Sequence, residues 1–188
     1  MSNFTVHTLS DTTEKRKEAL EQVRKRYGML PNVIGGMGES PAAVKGYTGL
    51  IDAMNECTLT RTEIHVVWFT INLEHSCHYC MSAHTPWAIE EGVPQGVIDT
   101  ARTGGRYEDE KLEALRKFTQ YMVRDRGWVD DAKIDDFLAA GFSRENIFEI
   151  IAAIAYKVMT NYTNHIVEPE LDDVYKDYRW TEADVVTD

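Results

Sequence analysis

Apolar residues recur along this chain every three to four positions, the spacing of helices that each bury one face. The first such segment is charged and amphipathic. Asp11 or Thr12 is placed to cap it, and Gly28, after Tyr27, ends it. MLPNVIGGMGES, rich in Gly and Pro, reads as a loop. Ser40 followed by Pro41 starts a second helix running to about Glu56, since proline at the first helical position loses no hydrogen bond. Thr60 and Glu63 have capping-box spacing, and the IHVVWFTINL that follows is apolar almost all round, the mark of a central buried helix. CHYCMSAHTPWAIEEG opens a further helix closed by Gly92, in which Pro86 is expected to cause a kink or a restart. A short helix in VPQGVIDTARTGG comes next. In DEKLEALRKFTQYMVRDRG, Leu112, Leu115, Phe118 and Met122 share one face. A short helix ends at Gly141, and Ser143 starts a long one whose middle is thoroughly apolar. The pattern predicts an all-α protein, a single helical domain over residues 1–188.

Composition supports this and narrows the function. At 188 residues with 43% hydrophobic content, one domain has an ample core of its own. A net charge of −11 would repel a phosphate backbone, so nucleic acid is not an expected partner. The start lacks a basic region followed by an apolar run, and no segment has the roughly 18 unbroken apolar residues of a membrane span. No membrane partner is expected, and the expected location is the cytoplasm, where thiols stay reduced unless chemistry uses them. Three cysteines are too few for a disulfide framework.

The candidate chemistry sits in EHSCHYCMSAH, residues 74–84. On a helix, Cys77, Cys80 and His84 fall within about 60° of one another, and His84 lies one turn beyond Cys80, within reach of a proton exchange. The helix start favours a thiolate. A thiol of pKa about 8.5 is only about 3% ionised at pH 7, whereas one lowered to about 7 is about half ionised. Three readings follow. The cluster can be a redox dithiol or a pair of small buried hydrophobes. It can also be a zinc site, with Glu74, His75 or His78 as fourth ligand. Structural zinc more often joins two separate ligand pairs, and no second CxxC is present. Met81 in place of a histidine after Cys80 excludes a c-type haem. Elsewhere Cys57, Trp68, Phe69, Phe148 and Tyr156 read as core, His7 as a solvated terminal residue, and the acids between Asp130 and Asp136 as a solvated face. Asn161 and His165, one turn apart, read as a polar helix end with pocket lining as the alternative. Tyr175, Tyr178 and Trp180 form a tail able to pack on this domain or on a neighbouring subunit.

LTRTEIHVVWFTINLEHSCHYCMSAH, together with GFSRENIFEIIAAIA and NYTNHIVEPELD, resembles the carboxymuconolactone decarboxylase-like family, which includes the AhpD alkylhydroperoxidases. The resemblance covers residues 50–172. It implies an AhpD-like helical fold that assembles into a homo-oligomer, and a peroxidase or disulfide reductase that needs no bound cofactor. Its partners would be a small-molecule peroxide and a dithiol reductant protein or small thiol. By that resemblance Cys80 attacks the peroxide, Cys77 resolves the product and His84 relays protons. The AhpD pattern also places a glutamate twelve residues before the first cysteine. Here that position is His65, and the nearest acids are Glu63 and Glu74, each a candidate to complete the relay. Lactone decarboxylation, found in members without the cysteine pair, and a non-catalytic redox-sensing or metal-binding module are the alternatives.

Overall fold

The computed structural model describes residues 3–10 and 12–186. Among these there are nine α-helices and two short 3₁₀ segments and no strand: α1 (Glu14–Tyr27), α2 (Asn32–Met37), α3 (Pro41–Asn55), α4 (Arg61–Glu74), α5 (His78–Glu90), α6 (Gln95–Thr103), α7 (Glu110–Arg124), α8 (Asp131–Ala139) and α9 (Arg144–Val167), then 3₁₀ turns at Asp173–Tyr178 and Glu182–Asp184. The all-α expectation and most of the helix ends hold. α4 is the axis. It packs against α5, α6, α7 and α9. Apolar residues on every side of it are buried, among them Ile64, Val67, Trp68, Phe69 and Ile71. Its start is the capping box read from the sequence: Thr60 Oγ1 accepts from the Glu63 amide at 3.2 Å and Glu63 Oε2 from the Thr60 amide at 2.8 Å. α9 crosses α2, α3 and α4, opened by Ser143 and Asn146 in the same reciprocal arrangement.

Several expectations are corrected. The Gly- and Pro-rich stretch is not only loop, since Asn32–Met37 is helical and its Val33, Ile34 and Met37 are buried. Its glycines serve close approach. A Cβ on Gly35 would lie 2.7 Å from the His7 carbonyl oxygen, and one on Gly36 would lie 2.7 Å from a Val167 methyl. His7 is therefore not solvated. It is buried, its amide donates to Gly35 at 3.1 Å, and its Nε2 lies 3.0 Å from Glu39. Phe148 is not core but 70% exposed. The helix carrying Pro86 does not restart there, because α5 runs unbroken to Glu90. Of the proposed α1 caps, Asp11 lies outside the described residues and Thr12 precedes the true N-cap, Thr13, whose side chain makes no capping bond. The tail packs on its own chain: Trp180 is buried, its Nε1 donating to the Arg102 carbonyl at 2.7 Å and its amide to Ser82 Oγ at 3.0 Å.

The turn from α4 into α5 places the cysteines. The Ser76 amide donates to the Leu73 carbonyl and the Cys77 amide to the Asn72 carbonyl, both at 2.9 Å, closing α4 in a Schellman-type turn. Ser76 occupies the left-handed position (φ 49°) where glycine is usual. Only three residues separate the helices, so Cys77 becomes the N-cap of α5 and Cys80 falls in its first turn.

Candidate active site

Cys77 is fully buried and Cys80 is 3% exposed. Their sulfurs are unlinked, with both cysteines as free thiols. Burial would raise the Cys80 thiol. A hydrogen bond donated by the Cys77 thiol, the positive charge of Lys157 and the neighbouring Thr160 hydroxyl outweigh it and bring Cys80 down to about 7. Cys77 moves the opposite way, pushed up first by its hydrogen bond to Cys80 and then by burial. One sulfur is poised as thiolate and the other held as thiol. The pair therefore titrates as a unit rather than as two independent cysteines.

His84, one turn on from Cys80, is buried between Trp68 and Trp87, with ring centroids 5.4 and 5.0 Å away. Burial keeps it neutral, and the neighbouring charge of Lys157 adds to that effect. Its Nε2 accepts from the Lys157 ammonium at 2.8 Å, and its Nδ1 is buried without a partner. Lys157, from the middle of α9, is 0% exposed. Burial lowers its pKa, while the sulfurs of Cys80 and Cys77 act to raise it. His65, on α4, stands behind His84 with ring centroids 6.3 Å apart, and its Nε2–H donates to Glu91 at 3.1 Å. It too is held neutral by burial, against the pull of Glu91.

A cavity of about 580 Å³ reaches this group. Cys80, His84, Lys157, Tyr47, Tyr156 and Thr160 line its buried end, and Arg26, Asn55 and Glu90 its exposed rim. The wall carries a chain of phenols, Tyr27 to Tyr47 at 2.9 Å and Tyr47 to Tyr156 at 3.5 Å, with Tyr79, Tyr175 and Trp87 completing an aromatic lining. Size and lining suit an organic molecule with a ring or an alkyl body.

The structure brings Cys77, Cys80, His84 and His65 together and leaves the two acids out. Glu74 binds away from the cavity, accepting from Arg124 at 2.6 and 2.8 Å and from Gln120 at 2.9 Å. Glu63 caps α4 and pairs with Lys111 at 2.7 Å. Neither lines the cavity. Asn161 is buried against Asn72 at 3.1 Å, and His165 borders a separate groove with His78 and Trp180. Half-buried Cys57 does not line this cavity and its thiol donates to the Leu59 carbonyl. Among the described residues no three His, Cys, Asp or Glu side chains converge to hold a metal ion, and no helix is long and apolar enough to cross a membrane. Sequence reasoning missed Lys157, Glu91 and the tyrosines. Lys157 did leave a signal, as the one charge within the apolar run IIAAIAYKVMT.

No protein-family model matches the sequence, and no curated protein matches it. Solved structures do share its fold. One is an alkylhydroperoxidase AhpD core, a peroxidase-related protein from Ralstonia eutropha JMP134, with TM-score 0.77 and 20% identity over 93% of this chain and 94% of that one. Another is the debrominase Bmp8, a cysteine-to-alanine variant in complex with 2,3,4-tribromopyrrole, with TM-score 0.77 and 18% identity over 95% and 96%. A third is a peroxidase-related protein from Silicibacter sp. TM1040, with TM-score 0.74 and 16% identity over 95% and 96%. At such identities the likeness is one of fold. The chain has the AhpD-like all-α fold, with a near pair of cysteines, Cys77 and Cys80, on α5.

Proposed function

We propose that this protein is a dithiol-dependent reductase of small electrophilic molecules, an AhpD-like thiol peroxidase in its leading form. The observation that carries the reading is the Cys80 thiol, brought to about 7 at the buried end of a solvent-open cavity and hydrogen-bonded by a second thiol kept protonated. The Cys80 thiolate attacks the outer oxygen of a hydroperoxide, the O–O bond breaks, and the leaving alkoxide takes a proton by way of His84. Cys80 is then a sulfenic acid. The Cys77 thiol attacks its sulfur, forming the disulfide and releasing water. A dithiol protein or small thiol returns the two electrons and completes the cycle.

The roomy aromatic cavity supports a second reading, reductive removal of halide from a halogenated ring, as the name of the Bmp8 debrominase suggests. Cys80 would take the halogen as a sulfenyl halide while the ring carbon gains a proton. Cys77 would then displace halide, forming the same disulfide. Both routes consume two electrons per turnover.

The test uses single substitutions. Cys80→Ser should remove the first oxidation event altogether. Cys77→Ser should react once with cumene hydroperoxide and accumulate a sulfenic acid at Cys80, trapped with dimedone and located by peptide mass. Wild type that consumes neither this peroxide nor a bromopyrrole over many equivalents of dithiothreitol would refute the proposal.

A further inference from the structure

We infer that Lys157 is the counter-ion of the Cys80 thiolate and the source, through His84, of the proton taken by the leaving group. This makes it a positioning residue of a relay with no carboxylate in it. The inference deepens the dithiol reading and rests on it.

A fully buried ammonium is costly unless an anion and hydrogen bonds satisfy it. Lys157 has no carboxylate within 4 Å among the described residues. The buried acids are engaged elsewhere, Glu63 by Lys111, Glu113 by Arg116 and Asp172 by the Tyr79 hydroxyl and the Asn32 amide, and half-buried Glu91 by His65. The ammonium meets His84 at 2.8 Å and the Tyr156 ring, on α9 itself, with its centroid 5.4 Å away. The sulfurs of Cys80 and Cys77 act on its charge, that charge acts on His65, with Glu91 behind it, and on His75, and Tyr27 and Tyr47 share the cavity wall. Burial raises the phenols and keeps them neutral. The sulfur that ionises near neutrality is therefore the one anion available to the cation.

This pairing balances the reaction. Cys80 thiolate, Cys77 thiol, Lys157 ammonium and a hydroperoxide become a disulfide, a neutral amine, an alcohol and water. The two protons consumed are those of Lys157 and Cys77, and net charge is zero on both sides. Oxidation removes the thiolate and the ammonium together, so no buried charge is stranded in the disulfide state. Reduction by a dithiol restores both, the dithiol supplying two electrons and two protons. The Lys157–His84 hydrogen bond thus takes the place of the glutamate that the family pattern puts at His65.

The experiment compares wild type with Lys157→Met and Lys157→Gln. Met keeps length and apolar bulk, and Gln keeps a donor for His84 without the charge. Iodoacetamide alkylation of reduced protein is followed at Cys80 by peptide mass from pH 5 to 10. Equilibrium of the disulfide with dithiothreitol is measured at pH 9, where the wild-type thiolate is fully ionised and a one-unit rise in its midpoint converts to about tenfold. Both variants should move the Cys80 midpoint upward by at least one pH unit. Both should shift the equilibrium about tenfold toward the disulfide, about 30 mV for this two-electron couple. A midpoint and an equilibrium within twofold of wild type in both variants would overturn the assignment, whatever the melting temperature does. A wild-type midpoint in Gln alone would also overturn it, by assigning the effect to the hydrogen bond rather than the charge. Wild type that alkylates near pH 7 yet never forms the Cys77–Cys80 disulfide would sink the dithiol reading while leaving the counter-ion test standing.

Discussion

The hydrogen bond from Cys77 to Cys80 gives Cys77 a second duty besides resolution, and removing the thiol isolates it. Cys77→Ala deletes the donor, and Cys77→Ser replaces it with a hydroxyl at an N-cap position that favours serine. A hydrogen bond to a charged acceptor contributes about 1.5–3 kcal/mol. At about 1.4 kcal/mol per pH unit, its loss should raise the Cys80 midpoint from about 7 by roughly one to two units. The thiolate fraction at pH 7 would fall from about one half to roughly 1–10%, and alkylation at that pH would slow about five- to fifty-fold. The assay is iodoacetamide alkylation against pH with peptide mapping. Cys57, whose thiol is pushed up by partial burial, reacts separately. Cys77→Ser should stay much nearer wild type. Should Cys77→Ala alkylate Cys80 with a midpoint within half a unit of wild type, the hydrogen bond is not what ionises Cys80. The division of labour between the two sulfurs would then be wrong.

Two further outcomes follow from the same structure. His84 and His65 are held neutral by burial, with folded values below the unfolded value of about 6.5, so the unfolded chain binds more protons as pH falls below that point. Stability present at pH 7 should therefore be lost on acidification by up to about 1.4 kcal/mol per pH unit for each ring, and His84→Gln should flatten the urea-midpoint profile between pH 6.5 and 5. Phe148, Ile151, Tyr162 and Ile166 leave an exposed apolar stripe along α9, for which we propose a second copy of the chain as partner. Light scattering at micromolar concentration should give a multiple of 21.5 kDa, falling toward one chain in Phe148→Glu/Ile151→Glu, and a monomeric wild type would refute it.

The fold was largely legible because its signals are local. Thr60 with Glu63, Ser40 with Pro41, Gly28 and Ser143 start and stop helices through bonds between residues close in sequence, and the all-apolar α4 had to lie at the centre. α2 escaped because Gly35 and Gly36 weaken a helix by propensity. Their use is the close approach of His7 and Val167, which are distant along the chain. The Cys77–Cys80–His84 face was readable for the same reason as the caps, one turn of helix being a sequence-level distance. What completes it was not. Glu74 and Glu63 are near the cysteines in sequence, yet Arg124 and Lys111 hold them elsewhere, while Lys157 comes from 73 residues downstream to meet His84. The sequence by itself determined the helices and which side chains share a face of α5. Only the packing of α9 and α4 around α5 decided which charge meets the thiolate, because helix periodicity sets angles within one helix and burial between helices sets the partners across them.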